Sequence, residues 1–96
     1  MVEHQSYSLS FYEFMDMEKQ EIIQKIEMIV VAAVNHHDFQ MSENTQPNDI
    51  LGWDSLSNAM ILTSIEQEFS IKFKFSDMIA WKTIGELADI ITKKIG

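Results

Sequence analysis

The sequence contains no cysteine and no arginine among its 96 residues. Without cysteine, neither a disulfide framework nor a thiolate metal site can form, so hydrophobic packing has to stabilise the fold. The net charge is −8, and an acidic chain without arginine repels the phosphate backbone of nucleic acids. We therefore expect no nucleic-acid partner and instead expect partner proteins with basic surfaces.

Long apolar runs are also missing. No stretch of 18 apolar residues occurs, so the sequence predicts no membrane-spanning helix. The first ten residues, MVEHQSYSLS, lack the basic start and apolar segment of a secretory signal. A cytoplasmic protein of one domain is expected, and the apolar fraction of 46% argues against wholesale disorder.

The sequence divides into an N-terminal extension, residues 1–15, and a domain, residues 16–96, which differ in their pattern of apolar residues. The first segment is polar and then aromatic, with Phe11, Tyr12 and Phe14, and we interpret it as an N-terminal extension with a short helix near residues 9–14. Its rings either pack against the domain edge or form a partner-binding segment. Residues 16–35 have apolar side chains at helical spacing, with Asp16 as the predicted N-cap.

A polar loop of about 15 residues follows the first helix, and a loop this long in a small domain usually has a fixed structure or a role. Phe39, Met41 and Ile50 are its predicted anchors in the core. A second helix is predicted from Ser55 to about Phe69, with a core stripe made of Ile61, Leu62, Ile65 and Phe69.

The segment SIKFKFSD alternates as a strand does, yet no second strand-like run exists to pair with it. We interpret it as an extended connector that inserts Ile71, Phe73 and Phe75 into a helical core. Ser76 is the predicted N-cap of a short helix at 77–81. The segment Thr83–Glu86 has the spacing of a capping box, which begins the last helix.

Ser55, within LGWDSLSNAM, is the first candidate for chemistry. Its Asp-Ser-Leu stretch resembles that of the Gly-Asp-Ser-Leu serine hydrolases, but no histidine follows His37 to act as a base, and G-x-S-x-G is not present. His36, His37 and Asp38 are adjacent rather than at metal-binding spacing, so they indicate a solvated helix end and no metal site. Neither catalysis nor metal binding is expected.

The position of Ser55 at a helix start suggests a different role. Either Asp54 or Ser55 could simply cap the helix. The start of a helix can also bind a phosphate group, because its first N–H groups are free and its partial charge is positive. A serine there, next to an acid that can help hold a magnesium ion during transfer, is suited to carry a phosphodiester.

These residues resemble the acyl and peptidyl carrier proteins, whose hallmark is Asp-Ser-Leu at the start of the second of four helices. Asp54, Ser55 and Leu56 match it, and Gly52 matches the residue that commonly lies before the motif. The stretches IEQEFSIKF and TIGELADII are similar to the end of helix two and the start of helix four in this family. The resemblance covers about residues 17–95 and implies an all-α four-helix bundle of the acyl-carrier type, with three main helices, one short helix and a long first loop.

The resemblance implies that Ser55 carries 4′-phosphopantetheine, with Asp54 and Leu56 beside it, and that the chain is a monomer without catalytic activity. A phosphopantetheinyl transferase would attach the arm, an activating ligase would load an acyl or aminoacyl group as a thioester, and a downstream transferase or synthase would receive it. Partner contacts are expected at Leu56, Ala59, Met60 and Glu66. The cargo would shelter near Leu62, Ile79 and Ala80.

Two departures from the family pattern favour a specialised carrier over a housekeeping fatty-acid carrier. Met60 stands where many fatty-acid carriers have a glutamate, and Trp53 resembles the residue of dedicated carriers from specialised pathways. Fatty acid, polyketide and nonribosomal peptide biosynthesis all stay open, and the sequence does not name the cargo. A carrier-like adaptor that is never modified and a small helical regulator unrelated to carriers are the alternatives.

Overall fold

The computed structural model describes the backbone of residues 11–95 and the side chains of residues 18–95. This part of the chain has four α-helices: α1 (Phe11–Val34), α2 (Ser55–Phe69), α3 (Phe75–Met78) and α4 (Ile84–Ile95). A short 3₁₀ helix, Pro47–Asp49, lies in the loop before α2. Residues 11–95 contain no strand, so the predicted all-α fold with three main helices and one short helix is confirmed. No helix between residues 11 and 95 is long and apolar enough to cross a membrane.

Helix α1 begins earlier than predicted. It is continuous from Phe11 to Val34, so Asp16 lies inside the helix and its prediction as N-cap is wrong. No glycine or proline interrupts this stretch, and an aspartate inside a helix costs only about 0.7 kcal/mol relative to alanine. Helix α1 runs across the boundary between residues 15 and 16, and the division into extension and carrier domain stays a prediction. The packing of the aromatic side chains before residue 18 lies outside the described residues.

The core lies where α1 packs against both α2 and α4. Each helix contributes aliphatic side chains at helical spacing, as the sequence pattern predicts. The largest fully buried side chains are Ile26 and Val30 of α1, Ile61 and Ile65 of α2, and Ile84, Leu87 and Ile91 of α4. Burial of these faces, at about 1.5–3 kcal/mol for each aliphatic side chain, is the main term that stabilises a chain without disulfides.

The end of α1 is joined to the segment that precedes α2. Asn35 adopts a left-handed conformation, with φ of 64°, and ends the helix. The His36 ring accepts the Asp38 N–H at Nδ1 over 3.1 Å and donates from Nε2 to the Leu51 carbonyl over 2.6 Å. The ring of His36 also meets that of Phe39 edge-on. His36 is therefore a half-buried link between two segments and not a solvated helix end.

The long loop between α1 and α2 has a fixed structure, as predicted. The N–H groups of Ile84 and Gly85, at the start of α4, donate to the carbonyls of Thr45 and Glu43 over 2.8 and 2.9 Å. These donors have no partner within their own helix, so the loop satisfies them. A Cβ at position 85 would lie 3.0 Å from the Glu43 Cβ and 3.1 Å from its carbonyl oxygen, and glycine therefore permits this close approach.

The predicted loop anchors also lie against the core: Ile50 is buried, and Phe39 and Met41 are half-buried. The connector between α2 and α3 differs from its prediction. Phe73 is buried, but Phe75 begins α3 and is 75% exposed. The alternation of buried and exposed side chains therefore ends at Phe73, two residues earlier than predicted. Phe75 is exposed because it begins a helix instead of continuing the extended segment.

Helix α3 begins at Phe75, so the predicted start at 77 and the predicted N-cap at Ser76 are wrong. The Asp77 carboxylate accepts the Lys74 N–H over 2.7 Å and pairs with the Lys94 ammonium over 2.8 Å, which joins α3 to α4. The pairing with Lys94 is the main cause that lowers the pKa of Asp77 below its ordinary value. This contact links residues distant in sequence, which a local pattern does not reveal.

The predicted capping box at the start of α4 is confirmed. The Glu86 N–H donates to the Thr83 hydroxyl over 3.2 Å, and the Glu86 carboxylate accepts the N–H groups of Lys82 and Thr83 over 2.7 and 3.2 Å. These donors, with Lys82 the larger cause, hold the pKa of Glu86 below its ordinary value. The helix that supports the loop therefore has a firmly fixed start.

Candidate functional site at the start of helix α2

Ser55 is the first residue of α2 and its side chain is exposed. The N-cap is Asp54, whose Oδ1 accepts the Ser57 N–H over 3.0 Å, so of the two capping candidates the structure selects the aspartate. Among the hydrogen bonds of residues 18–95, none uses the Ser55 hydroxyl as a donor or acceptor. Because Asp54 caps the helix without Ser55, the Ser55 hydroxyl is free to react.

Ser57 is a site residue that the sequence reasoning missed. Its hydroxyl accepts the Asp54 N–H over 2.8 Å and donates to the Gly52 carbonyl over 2.7 Å, while the side chain is buried. Together Asp54 and Ser57 form a reciprocal pair across the first turn of the helix, as in a capping box. The Asp-x-x-Ser spacing was the available signal, with serine in the place usually held by glutamate.

We expect Ser57→Ala to lower the free energy of unfolding by about 1–3 kcal/mol, because it leaves the Gly52 carbonyl and the Asp54 N–H without their partner. Urea unfolding followed by circular dichroism measures the loss. Ser57→Thr keeps a hydroxyl and is the matched control. Equal stability of the alanine variant and the unaltered chain would contradict the proposed role of Ser57.

Gly52 shapes the turn that leads into the site. Its φ is +94°, a conformation that residues with a side chain rarely adopt. A Cβ there would also lie 3.2 Å from the Cβ of Val34, at the end of α1. Glycine therefore lets the chain turn closely over α1 and direct its carbonyl to Ser57.

Trp53 fixes the other side of this turn. The indole is buried in the core, and its Nε1 donates to Asn58 Oδ1 over 2.9 Å, one helical turn into α2. Its ring centroid lies 6.1 Å from that of Trp81, with the planes inclined at 49°. The tryptophan that the sequence analysis singled out is thus a structural anchor next to Ser55.

Two opposite charges lie next to Ser55, the carboxylate of Asp54 and the positive end of α2. The Ser57 N–H is the main cause that lowers the pKa of Asp54, so this carboxylate is ionised at neutral pH. The first backbone N–H groups of α2 provide a positive partial charge where the Ser55 side chain begins. A phosphodiester on Ser55 fits this helix start. Within residues 18–95 no group of three or more acidic or histidine side chains could hold a metal ion.

Stability is expected to fall in acid because Asp54, Asp77 and Glu86 all have lowered pKa values in the folded chain. Such groups stabilise the fold above their unfolded pKa, near 4, and that contribution is lost as the pH falls through the lower folded values. Urea midpoints measured from pH 6 to pH 2 should decline below about pH 4. Asp54→Asn retains an acceptor oxygen but does not titrate, and it should flatten part of the decline; an unchanged profile would contradict the role of Asp54.

Of the predicted partner contacts, Leu56, Ala59 and Met60 lie exposed on α2, with Leu56 74% and Met60 51% exposed. Glu66 is engaged internally, because its Oε2 accepts the Phe73 N–H over 2.8 Å and holds the connector to α3. Its role as a partner contact stays a prediction. The exposed side chains Leu56, Ala59 and Met60 thus place an apolar surface after Ser55 on α2, while the exposed Asp54 lies directly before it.

The predicted cargo shelter is only partly assembled. A groove of about 270 Å³ runs between α2 and α3, with Ser55 at one end and Leu62 and Met78 among its lining residues. Ile79 and Ala80 are exposed and do not line it. Helix α3 is one turn long and ends at Met78, so these two residues come after the helix.

Comparison with known proteins agrees with this geometry. A family model described as "Phosphopantetheine attachment site" matches residues 20–91. The chain is similar to the acyl carrier protein of Thermotoga maritima, with 30% identity over 78 residues that cover 81% of this chain and 96% of that protein. It is also similar to the NMR structure of holo acyl carrier protein from Geobacter metallireducens, with a TM-score of 0.69 and 30% identity over 76% of this chain and 84% of that one.

Proposed function

Because the chain belongs to the family of phosphopantetheine-binding acyl carrier proteins, we propose that Ser55 is where its 4′-phosphopantetheine cofactor is attached. The observation that carries this assignment is the exposed Ser55 hydroxyl at the first position of α2, next to a cap that Asp54 and Ser57 complete without it. The chain acts as a carrier, with an acyl or aminoacyl group as its cargo.

The residues around Ser55 have separate tasks in this function. The arm supplies a terminal thiol that holds cargo as a thioester. Ser55 presents its hydroxyl to a phosphopantetheinyl transferase, and the N–H groups at the start of α2 favour the negative charge of the resulting phosphodiester. Asp54 remains ionised beside it, where a carboxylate can help hold a magnesium ion during the transfer.

The partners follow from the carrier role. They are the transferase, an activating ligase that loads the thiol, and a downstream transferase or synthase that receives the cargo. We assign the chain no catalytic step of its own and propose that it works as a cytoplasmic monomer. Because Leu56 and Met60 are exposed next to Ser55 while Glu66 is engaged internally, we propose a specialised pathway whose enzymes contact α2 mainly through apolar surface.

The attachment is tested by incubating the full chain with coenzyme A and a phosphopantetheinyl transferase, followed by intact-mass and peptide mass spectrometry. The expected result is one phosphopantetheine group on the peptide that contains Ser55. The same sample, supplied with candidate acyl and aminoacyl ligases, should gain a second mass increment that hydroxylamine removes, as for a thioester. A chain that several transferases leave unmodified would favour the unmodified adaptor instead.

We expect Leu56→Ala to lower the transferase kcat/KM about tenfold, because it removes an exposed leucine next to the acceptor and loses about 1.4 kcal/mol of contact. Gln67→Ala, exposed at the far end of the same helix, is the matched control and should change little. Raising the salt concentration should have a weaker effect than the leucine substitution. A strong salt dependence with no effect of Leu56→Ala would refute the apolar contact.

A further inference from the structure

Helix α3 presents apolar side chains to solvent. Phe75 and Ile79 are 75% and 69% exposed, and Met78 is 41% exposed. Their spacing of i, i+3 and i+4 places them on one side of this single turn. Neither Phe75 nor Ile79 belongs to the hydrophobic core of the described residues or packs against it. Large apolar side chains that are grouped on a surface, and not scattered singly, mark an interaction site.

The residues around this turn are basic, although the chain as a whole is acidic. Residues 70–82 contain three of the seven lysines, Lys72, Lys74 and Lys82, but only one of the fifteen acids. That acid, Asp77, is paired with the Lys94 ammonium over 2.8 Å. All three lysines are exposed, so apolar side chains and a local excess of positive charge occur together.

We propose that this surface, the α3 patch, binds an anionic lipid bilayer. The patch consists of Phe75, Met78, Ile79, Lys72, Lys74 and Lys82. Its apolar side chains enter the boundary between head groups and acyl chains, and its ammonium groups meet the lipid phosphates. Apolar side chains flanked by lysines are typical of segments that lie on a membrane without crossing it. The proposal concerns a surface that does not include Ser55, and it holds whether or not Ser55 is modified.

The form of the α3 patch favours a bilayer over an acidic protein. Phe75 and Ile79 project from a helix of one turn, so a protein would need a shaped pocket for each of them. A bilayer needs no such pocket, because its acyl chains rearrange around an inserted side chain. The lysines suit either partner, so the apolar side chains decide between the two.

The acidic groups of the chain oppose this binding only weakly. Asp54 and Glu66 line grooves that Met78 also lines, but Phe75 and Ile79 line neither groove. The most exposed part of the α3 patch therefore lies outside these grooves. At a salt concentration of about 0.15 M the Debye length is about 8 Å, so more distant carboxylates are largely screened.

Binding through the α3 patch also orients the rest of the chain. Met78 lines the groove of about 270 Å³ that has Ser55 at one end, so the start of α2 would lie beside the membrane. A cargo carried on Ser55 would then be within reach of a membrane-bound enzyme. This consequence, unlike the binding itself, rests on the proposed function.

Flotation of the full-length protein with lipid vesicles tests the proposal. We expect binding to vesicles of phosphatidylcholine and phosphatidylglycerol in equal parts, much weaker binding to phosphatidylcholine alone, and release at high salt. Phe75→Trp adds an indole to the patch. Lipids brominated on their acyl chains should quench the fluorescence of this variant more strongly than that of the unaltered chain, which has two tryptophans.

Two matched pairs of substitutions locate the contact. Phe75→Ser should weaken binding about tenfold, because it removes a ring from the acyl chains. Leu51→Ser, in the loop before α2, replaces a side chain that is 83% exposed and should change binding little. Lys74→Gln should weaken binding about fivefold, and Lys93→Gln, in the last turn of α4, should have a smaller effect. Circular dichroism establishes that each variant is folded.

Ser55→Ala should bind the vesicles as the unaltered chain does, so a failure of membrane binding is visible separately from a failure of attachment. Equal effects of Phe75→Ser and Leu51→Ser would overturn the assignment of the α3 patch. An unaltered chain that binds no anionic vesicle at low salt would also overturn it, and would leave an acidic protein surface as the partner of the patch.

Discussion

Replacing Ser55 with alanine is expected to abolish phosphopantetheine attachment completely while the free energy of unfolding changes by no more than about 0.5 kcal/mol. The covalent bond needs the serine oxygen, and no neighbouring hydroxyl takes the same place on the helix. The fold should tolerate the change because Ser55 is exposed and Asp54 caps α2 without it. Intact-mass spectrometry measures the first effect, and urea unfolding measures the second.

Ser57→Ala is the matched comparison because it removes the neighbouring hydroxyl in the same turn. Its expected pattern is the reverse: a lower free energy of unfolding, with attachment retained in the folded fraction. Any modified mass on Ser55→Ala would place the acceptor elsewhere in the chain. A large loss of stability in Ser55→Ala would show instead that its hydroxyl supports the fold.

Ile61→Ala is expected to lower the free energy of unfolding by about 2–5 kcal/mol. Ile61 is fully buried where α1 and α2 pack, so truncation removes apolar contact and leaves a cavity. Domains of this kind have a total stability of about 5–15 kcal/mol, so a large share of it would be lost. Urea unfolding followed by circular dichroism gives the difference from the shift of the midpoint at constant slope.

The control for this prediction lies on the same helix. Leu56→Ala also shortens an aliphatic side chain, but Leu56 is 74% exposed and the change should stay within about 0.5 kcal/mol. Equal losses in Ile61→Ala and Leu56→Ala would contradict the described core. The two variants also separate two roles within one helix. Ile61→Ala should lower the free energy of unfolding, whereas Leu56→Ala should lower the kcat/KM of the transferase.

Local patterns in the sequence were sufficient for helices α2 and α4 and for the position of Ser55 at the start of α2. The apolar spacing of α2 and α4, the capping box at Thr83 and the Asp-Ser-Leu stretch all act within about one helical turn, so neighbouring residues reveal them. The start of α1 was missed for a related reason. Asp16 has the chemistry of an N-cap, but a helix continues through such a residue when no breaker precedes it.

The remaining features depend on residues that are distant in sequence. Glu66 was predicted as a partner contact, which stays a prediction; the structure adds that its carboxylate accepts the Phe73 N–H, from beyond the end of the helix. The pairing of Asp77 with Lys94 likewise appears only when α3 and α4 are in place. Sequence spacing is sufficient to propose the attachment residue, whereas the surroundings that select cargo and partners need the tertiary structure.

The hydrogen bonds from Ile84 and Gly85 to Thr45 and Glu43 have a consequence for how the protein is made. They join the loop that precedes Ser55 to a helix near the end of the chain. During synthesis, this loop and Ser55 leave the ribosome before α4 does, so the two hydrogen bonds cannot form until α4 docks. With Ser55 as the proposed attachment site, a transferase that recognises the assembled helix start would act on chains in which α4 has docked and pass over shorter nascent chains.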